Sequence, residues 1–234
     1  MNKQLLDFLK SDEVLHANMM FCINRNTVQI IYSDIDCVFL RDTVSGVYML
    51  SSKNIDKAKE LIDKVGKQYM FCVQQKAIAN YLKEQYKYPK QMVCYQAVYN
   101  KKEHLCPNSN ILDIKPLTID YLDTVCDNYH NGDREYMEKR INSGNMFGGF
   151  LNGELCGFIG NHEEGSIGIL EVLPQFRRRG FAVELESYMV NRTIDQNQIP
   201  FVQIETYNEV SVELHKKLGF LISNNMIYWL FSQN

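Results

Sequence analysis

Between Ile169 and Ala182 an apolar run stops at a proline and gives way to three arginines, a glycine and the start of an amphipathic stretch. A buried strand that ends at Pro174 and feeds a helix leaves the first helical N–H groups without intrahelical partners, at the positive end of the helix dipole. Such an end is a ready-made phosphate site. Gly180 and Ala182 lack bulky side chains, which leaves room for a diphosphate directly on the backbone. Arg177, Arg178 and Arg179 add positive charge, and Arg177 is placed to steady the turn. An arginine run usually marks a solvated face; here the strand, the proline and the amphipathic helix around it supply the weight.

A second segment lies 28 residues after Gly180: Asn208-x-x-Ser211, then Leu214-His215 and Leu218-Gly219-Phe220. It follows the strand-like run Phe201 to Glu205. Asn208 is a good helix cap and Gly219 a good helix stop, so a structural reading covers much of this pattern.

In this order the two segments resemble the GNAT superfamily of N-acetyltransferases, over about residues 111–234. The family's Arg-x-x-Gly-x-Gly/Ala loop maps to Arg177, Gly180 and Ala182. Its Asn-x-x-Ala/Ser helix ending in Leu-Gly-Phe maps to Asn208, Ser211 and Gly219-Phe220. The resemblance implies an α/β (α+β) fold, with a mixed, mostly antiparallel sheet flanked by helices. It implies acetyl-CoA as cosubstrate, its pyrophosphate on the amides of Arg178, Arg179, Gly180, Phe181 and Ala182. Val172 and Leu173 would pair with the pantetheine arm, and Asn208 would hydrogen-bond it.

Transfer to an amine needs a base, because only the neutral amine attacks a thioester. Glu171 is the first candidate: in an otherwise apolar strand, burial would raise its pKa toward a useful range. Glu205 is the second. Either is also compatible with a surface-facing place on a half-buried strand. Where the family often has a tyrosine to protonate the leaving thiolate, this chain has His215, which can donate a proton near neutral pH. A helical histidine can equally be structural. The implied activity is direct acyl transfer to a primary amine, with a small-molecule acceptor favoured. The alternative is a non-catalytic acyl-CoA sensor or assembly module.

The remainder of the chain sets the frame. An amphipathic N-terminal helix precedes a meander of strands at Thr27–Tyr32, Asp36–Arg41 and Gly46–Ser51. A helix behind Asn54 and stopped by Gly66, a strand Tyr69–Val73, a helix Gln75–Tyr86 and a strand Gln91–Tyr99 follow. This half reads as a degenerate copy of the same fold without the arginine loop, hence without a second CoA site. A lid, a substrate-side surface, a homodimer contact and plain scaffolding are the roles open to it. The polar segment Lys101 to Asn110 is the expected linker, dividing domains at 1–110 and 111–234. Beyond it come a strand Ile111–Lys115, helices Thr118–Tyr129 and Asp133–Asn142, and three strands whose first hairpin turns at Asn152-Gly153. A helix to about Ile194, the strand Phe201–Glu205, the helix Asn208–Leu218 and a final pair of strands close the chain.

Composition excludes other classes. The longest apolar run, Met226 to Phe231, is strand-sized, far short of the roughly 18 residues a spanning helix needs. The N-terminus shows no signal-peptide pattern, so a cytoplasmic address without a membrane partner is expected. Seven cysteines, never closer than 12 residues, form no CxxC pair, and His16, His104 and His130 show no ligand spacing; no metal is expected. There are 15 basic and 11 acidic side chains up to residue 110, and 10 and 17 after it, so the halves carry about +4 and −7. The acidic second half argues against a nucleic-acid partner and would suit a cationic substrate. Asn161, His162, Glu163 and Glu164 could attract such a substrate, although turn chemistry explains them as well.

Overall fold

The computed structural model describes residues 3–107 and 110–232. In chain order it contains α1 (Lys3–Lys10), α2 (Ala17–Asn24), β1 (Val28–Ser33), β2 (Cys37–Asp42), β3 (Tyr48–Ser52), α3 (Ile55–Val65), β4 (Met70–Val73), α4 (Lys76–Tyr86) and β5 (Lys90–Val98). Then follow β6 (Asp113–Pro116), α5 (Leu122–Asn128), α6 (Arg134–Asn142), β7 (Met146–Leu151), β8 (Glu154–Asn161) and β9 (Ile167–Val172). The last elements are α7 (Phe181–Asp195), β10 (Phe201–Glu205), α8 (Glu209–Leu218) and β11 (Leu221–Phe231). This is a mixed α/β fold with a mostly antiparallel sheet flanked by helices, in which β3 with β4 and β9 with β10 pair in parallel.

The chain forms two compact units, residues 1–98 with 203–234, and residues 99–202. The expected division at residue 110 therefore differs from the compact units. The reason is β11, which pairs antiparallel with β5 from Leu221↔Val98 to Phe231↔Lys90 and with β4 from Tyr228 to Phe231. Its hydrogen bonds place this last strand with the first unit. Of the expected linker, Asn108 and Ser109 lie outside the described residues, and the rest carries no helix or strand.

In the first unit the strand order is β1-β2-β3-β4-β11-β5. Strand alternation sends successive side chains to opposite faces, and both faces are apolar. Val38, Leu40, Met49, Cys72, Ile227 and Trp229 meet Leu5, Phe8, Leu9 and Met19 on one side. Cys37, Phe39, Leu50, Phe71, Val73 and Leu230 meet Ala58, Leu61, Ile62, Ile78 and Leu82 of α3 and α4 on the other. Such a sheet needs helices on both faces, so the N-terminus supplies two, α1 and α2, where one was expected. The final pair of strands is a single strand, β11, with an irregularity between Ile222 and Met226 where Ser223 Oγ donates to the Asn225 carbonyl at 2.6 Å.

From β1 to β5 the elements run in the order meander, helix, parallel strand, helix, strand, which is the order from β7 to β11. The two series differ where chemistry was expected. Only Lys53 and Asn54 separate β3 from α3, and Asn54 caps the helix by accepting from the Lys57 amide. Residues 173–180 separate β9 from α7.

In the second unit the order is β10-β9-β8-β7-β6, and the parallel ladder has one register pair, Val202↔Ile167. Asn152 and Gly153 take φ of 52° and 86° in the β7–β8 turn, as an Asn-Gly hairpin requires. Helix α7 buries Phe181, Leu185, Met189 and Val190. Leu185 sits close over Gly149 and Gly157, where an added Cβ would come within 3.1 and 3.2 Å of it. Sequence positions that lack side chains thus set the depth of this helix.

Candidate active site

Strand β9 is deformed before it reaches the arginine loop. Ile169, 1% exposed, has φ of +52°, and the β8 register shifts between Phe158 and Gly160. A buried β-branched residue in the left-handed region is a strained bulge, a device that bends a strand and re-aims its neighbours. Nothing in the run Ile-Gly-Ile-Leu signals it. Past the bulge, Val172 faces Gly157 across the ladder, and the Leu173 amide donates to the Cys156 carbonyl at 2.9 Å.

The loop then turns in two tight steps. Pro174–Phe176 form one 3-10 turn, closed by the Phe176 amide on the Leu173 carbonyl at 2.8 Å. Arg178 and Gly180 follow with φ of 63° and 85°. Gly180 caps α7 without any side-chain hydrogen bond, and a Cβ built on it would meet nothing within 4 Å. The amides of Arg178, Arg179 and Gly180 have no backbone acceptor among the described residues, and those of Phe181 and Ala182 are the first of the helix. Five successive N–H groups without backbone acceptors, with open space at Gly180, sit at a helix N-terminus, an arrangement that can bind an anion.

The arginines divide their work. Arg177 turns back: its Nε donates to the Val172 carbonyl at 3.0 Å and its Nη2 to Glu171 Oε1 at 2.9 Å. Arg179 stacks on Phe181 and Phe176, with 4.9 and 5.8 Å from guanidinium to ring centre. Arg178 is exposed on the turn. Glu171 thus departs from the expected picture of a lone carboxylate among apolar groups, being 26% exposed and ion-paired.

The second segment lies in the first unit. Asn208 caps α8, its side-chain oxygen accepting from the Ser211 amide at 3.1 Å, and Gly219 ends the helix with φ of 87°. His215 is 4% exposed; its Nδ1 donates to the Ser211 carbonyl at 2.7 Å, and its ring meets Phe220 edge-on at 4.9 Å. Glu205 accepts a hydrogen bond from Tyr207, which raises the phenol's pKa.

One cluster in the second unit is richer than its turn sequence suggested. The Tyr136 hydroxyl lies 2.8 Å from His162 Nδ1, and the two rings stack at 6.0 Å. Burial lowers the His162 pKa, against the pull of Glu164. Burial also raises that of Tyr136, with Glu164 adding to it. Glu164 is itself bonded by the Ser166 hydroxyl, and buried Arg140 donates from Nε to the Asn161 carbonyl at 2.8 Å. Tyr136 stands 26 positions from His162, too far for any local motif. Among the described residues no group of three or more His, Cys, Asp or Glu side chains gathers as a metal site.

A meander, a bulged central strand and an arginine-glycine turn at a helix N-terminus mark this part of the α/β fold. The comparisons make the fold specific. Residues 146–230 match the FR47-like protein family. A solved Drosophila protein superposes with a TM-score of 0.67 at 18% identity, covering 99% of this chain and 96% of its own. A GCN5-related N-acetyltransferase-like protein from Streptococcus suis gives 0.56 at 14% identity, with 92% of each chain covered. A GCN5-related N-acetyltransferase from Kribbella flavida gives 0.57 at 9% identity, with 95% of each covered. A search of curated proteins finds no match. The chain has the fold of the GNAT superfamily of N-acetyltransferases.

Proposed function

We propose that the protein is an N-acyltransferase that moves an acyl group from acetyl-CoA to a primary amine, with a small molecule as acceptor. The observation that carries the reading is the turn at residues 178–182, where successive amides lack backbone acceptors and Gly180 stands beside open space at the start of α7. Acetyl-CoA supplies the activated thioester. The amides of Arg178 to Ala182 hold its pyrophosphate, with Arg178 and Arg179 neutralising charge. The backbone of Val172 and Leu173 guides the pantetheine arm along β9.

Glu171 is the proposed base. Arg177 holds one carboxylate oxygen in place, leaving the other for the amine proton, directly or through water. The acyl group passes in one step, and catalysis rests on positioning and proton removal. His215 is assigned a packing role, since its ring is buried and its Nδ1 is committed to its own helix. The thiolate then takes its proton from solvent. The charge of about −7 after residue 110 supports a cationic acceptor.

The test is a thiol-release assay over a panel of primary amines with wild-type protein and Glu171→Gln. The reading expects release with at least one amine and a loss of about 10²-fold or more in the variant, with acetyl-CoA binding retained. Binding of acetyl-CoA without thiol release from any amine would favour a sensor.

A further inference from the structure

A cavity of about 630 Å³ runs beside α7 in the second unit, walled by Glu184, Ser187, Tyr188, Leu105, Pro107 and Ile114. Glu184 is 2% exposed. Its Oε2 accepts from the amides of Ile111 and Leu112 at 3.0 and 3.1 Å, while its Oε1 has no partner. One turn further along, the hydroxyl of Ser187, 1% exposed, is also unpartnered. A buried carboxylate oxygen left unmatched is costly, and here it shares one cavity with an unmatched hydroxyl one turn along the same helix.

The protein's own cations do not answer this carboxylate. Arg192, which also lines the cavity, places its guanidinium over the Phe147 ring at 4.9 Å, and His104 is bonded to Asp195 at 2.8 Å. The Asn191 side chain is used up in holding the Leu105 amide and carbonyl at 2.7 and 2.9 Å. None of these groups supplies a donor to Glu184 Oε1.

We propose that this cavity is a binding site for a small alkylammonium ligand, whose N–H groups meet Glu184 Oε1 and Ser187 Oγ. Its alkyl part lies on Leu105, Pro107, Ile114 and Tyr188. The site is separate from the residues assigned to acyl transfer. Occupancy would bear on α7 one turn from Phe181, where the phosphate turn ends.

The probe is n-butylammonium chloride, titrated into the full chain and followed by the ¹H–¹⁵N signals of Ile111 and Leu112, which sit on the other oxygen of the same carboxylate. Saturable shifts at these two amides are expected, with 1-butanol producing none. Glu184→Gln should weaken binding at least about tenfold, and Glu171→Gln should leave it unchanged. Ser187→Ala, which removes only a hydroxyl, should weaken it by about threefold or more and serves if the Glu184 variant does not fold. No saturation, equal shifts with 1-butanol, or unaltered binding in the Glu184 or Ser187 variants would overturn the proposal and leave a water-filled cavity. Loss of binding in Glu171→Gln would place the ammonium in the transfer site and overturn it as well.

Discussion

Arg177 and Glu171 are joined at 2.9 Å, and the same guanidinium donates to the carbonyl of Val172, so one side chain fastens the arginine turn to the strand that carries the proposed base. The conspicuous arginine run therefore does not act as one unit. Its first member is a brace.

Replacing the brace should separate affinity from stability. The pair is 56% and 26% exposed, so Arg177→Met is expected to cost less than about 1 kcal/mol of folding free energy. A looser turn must be ordered on binding, and acetyl-CoA should bind about 3–10-fold more weakly. Calorimetry beside thermal melting checks both; an unchanged affinity would show that the turn holds its shape alone.

Gly157 faces the other side of the same strand end. A Cβ there would lie 2.5 Å from the Glu171 carbonyl oxygen and 3.1 Å from Val172 Cα, both backbone atoms that cannot swing away. Gly157→Ala should destabilise the protein by about 1–3 kcal/mol and displace Glu171, lowering turnover more than acetyl-CoA binding. A variant with wild-type melting and turnover would show that β8 and β9 slide apart freely.

His215→Ala separates packing from proton donation. Loss of the buried bond to the Ser211 carbonyl and of the contact with Phe220 should cost about 1–3 kcal/mol by urea unfolding. The pH profile of thiol release should keep its shape. Disappearance of one limb of that profile would restore His215 as the acid.

Acid should weaken the fold through two histidines whose pKa desolvation lowers. Burial holds His162 below its ordinary value of 6.5, and His16 is lowered for the same reason. The unfolded chain therefore takes up protons first as pH falls through about 6.5, and stability present above that value is lost toward the lower folded pKa. Urea unfolding at about pH 7.5 and about pH 5.5 should show a smaller loss for His162→Gln than for wild type. Equal losses would mean that the Tyr136 and Glu164 surroundings tolerate the charged ring.

Much of this was legible in the chain. The runs rich in Val, Tyr, Phe and Leu at β2 and β3, the caps at Asn54 and Asn208, and the Asn152-Gly153 turn are local effects, read from residues within a few positions of one another. The turn at Gly180 was legible for the same reason. What escaped depends on distant partners. The membership of β11 in the first unit rests on pairing with strands more than 100 residues away. The bulge at Ile169 has no compositional mark, because it is imposed by register with β8. Glu171 was expected among apolar neighbours, and strand alternation could not foresee that Arg177 folds back onto it. Glu184 carries no mark in the sequence, because the Ile111 and Leu112 amides that bond it lie more than 70 positions away.

The central claim is that the turn at residues 178–182 holds the pyrophosphate of acetyl-CoA. The most direct measurement is a calorimetric titration of acetyl-CoA into wild-type protein and Gly180→Glu, whose side chain would fill the open space and bring a negative charge to the anion site. The account predicts saturable binding by the wild type and loss of about 10²-fold or more in the variant, with the fold intact by circular dichroism. A wild-type protein that does not bind acetyl-CoA, or a variant that binds it equally well, would contradict the account.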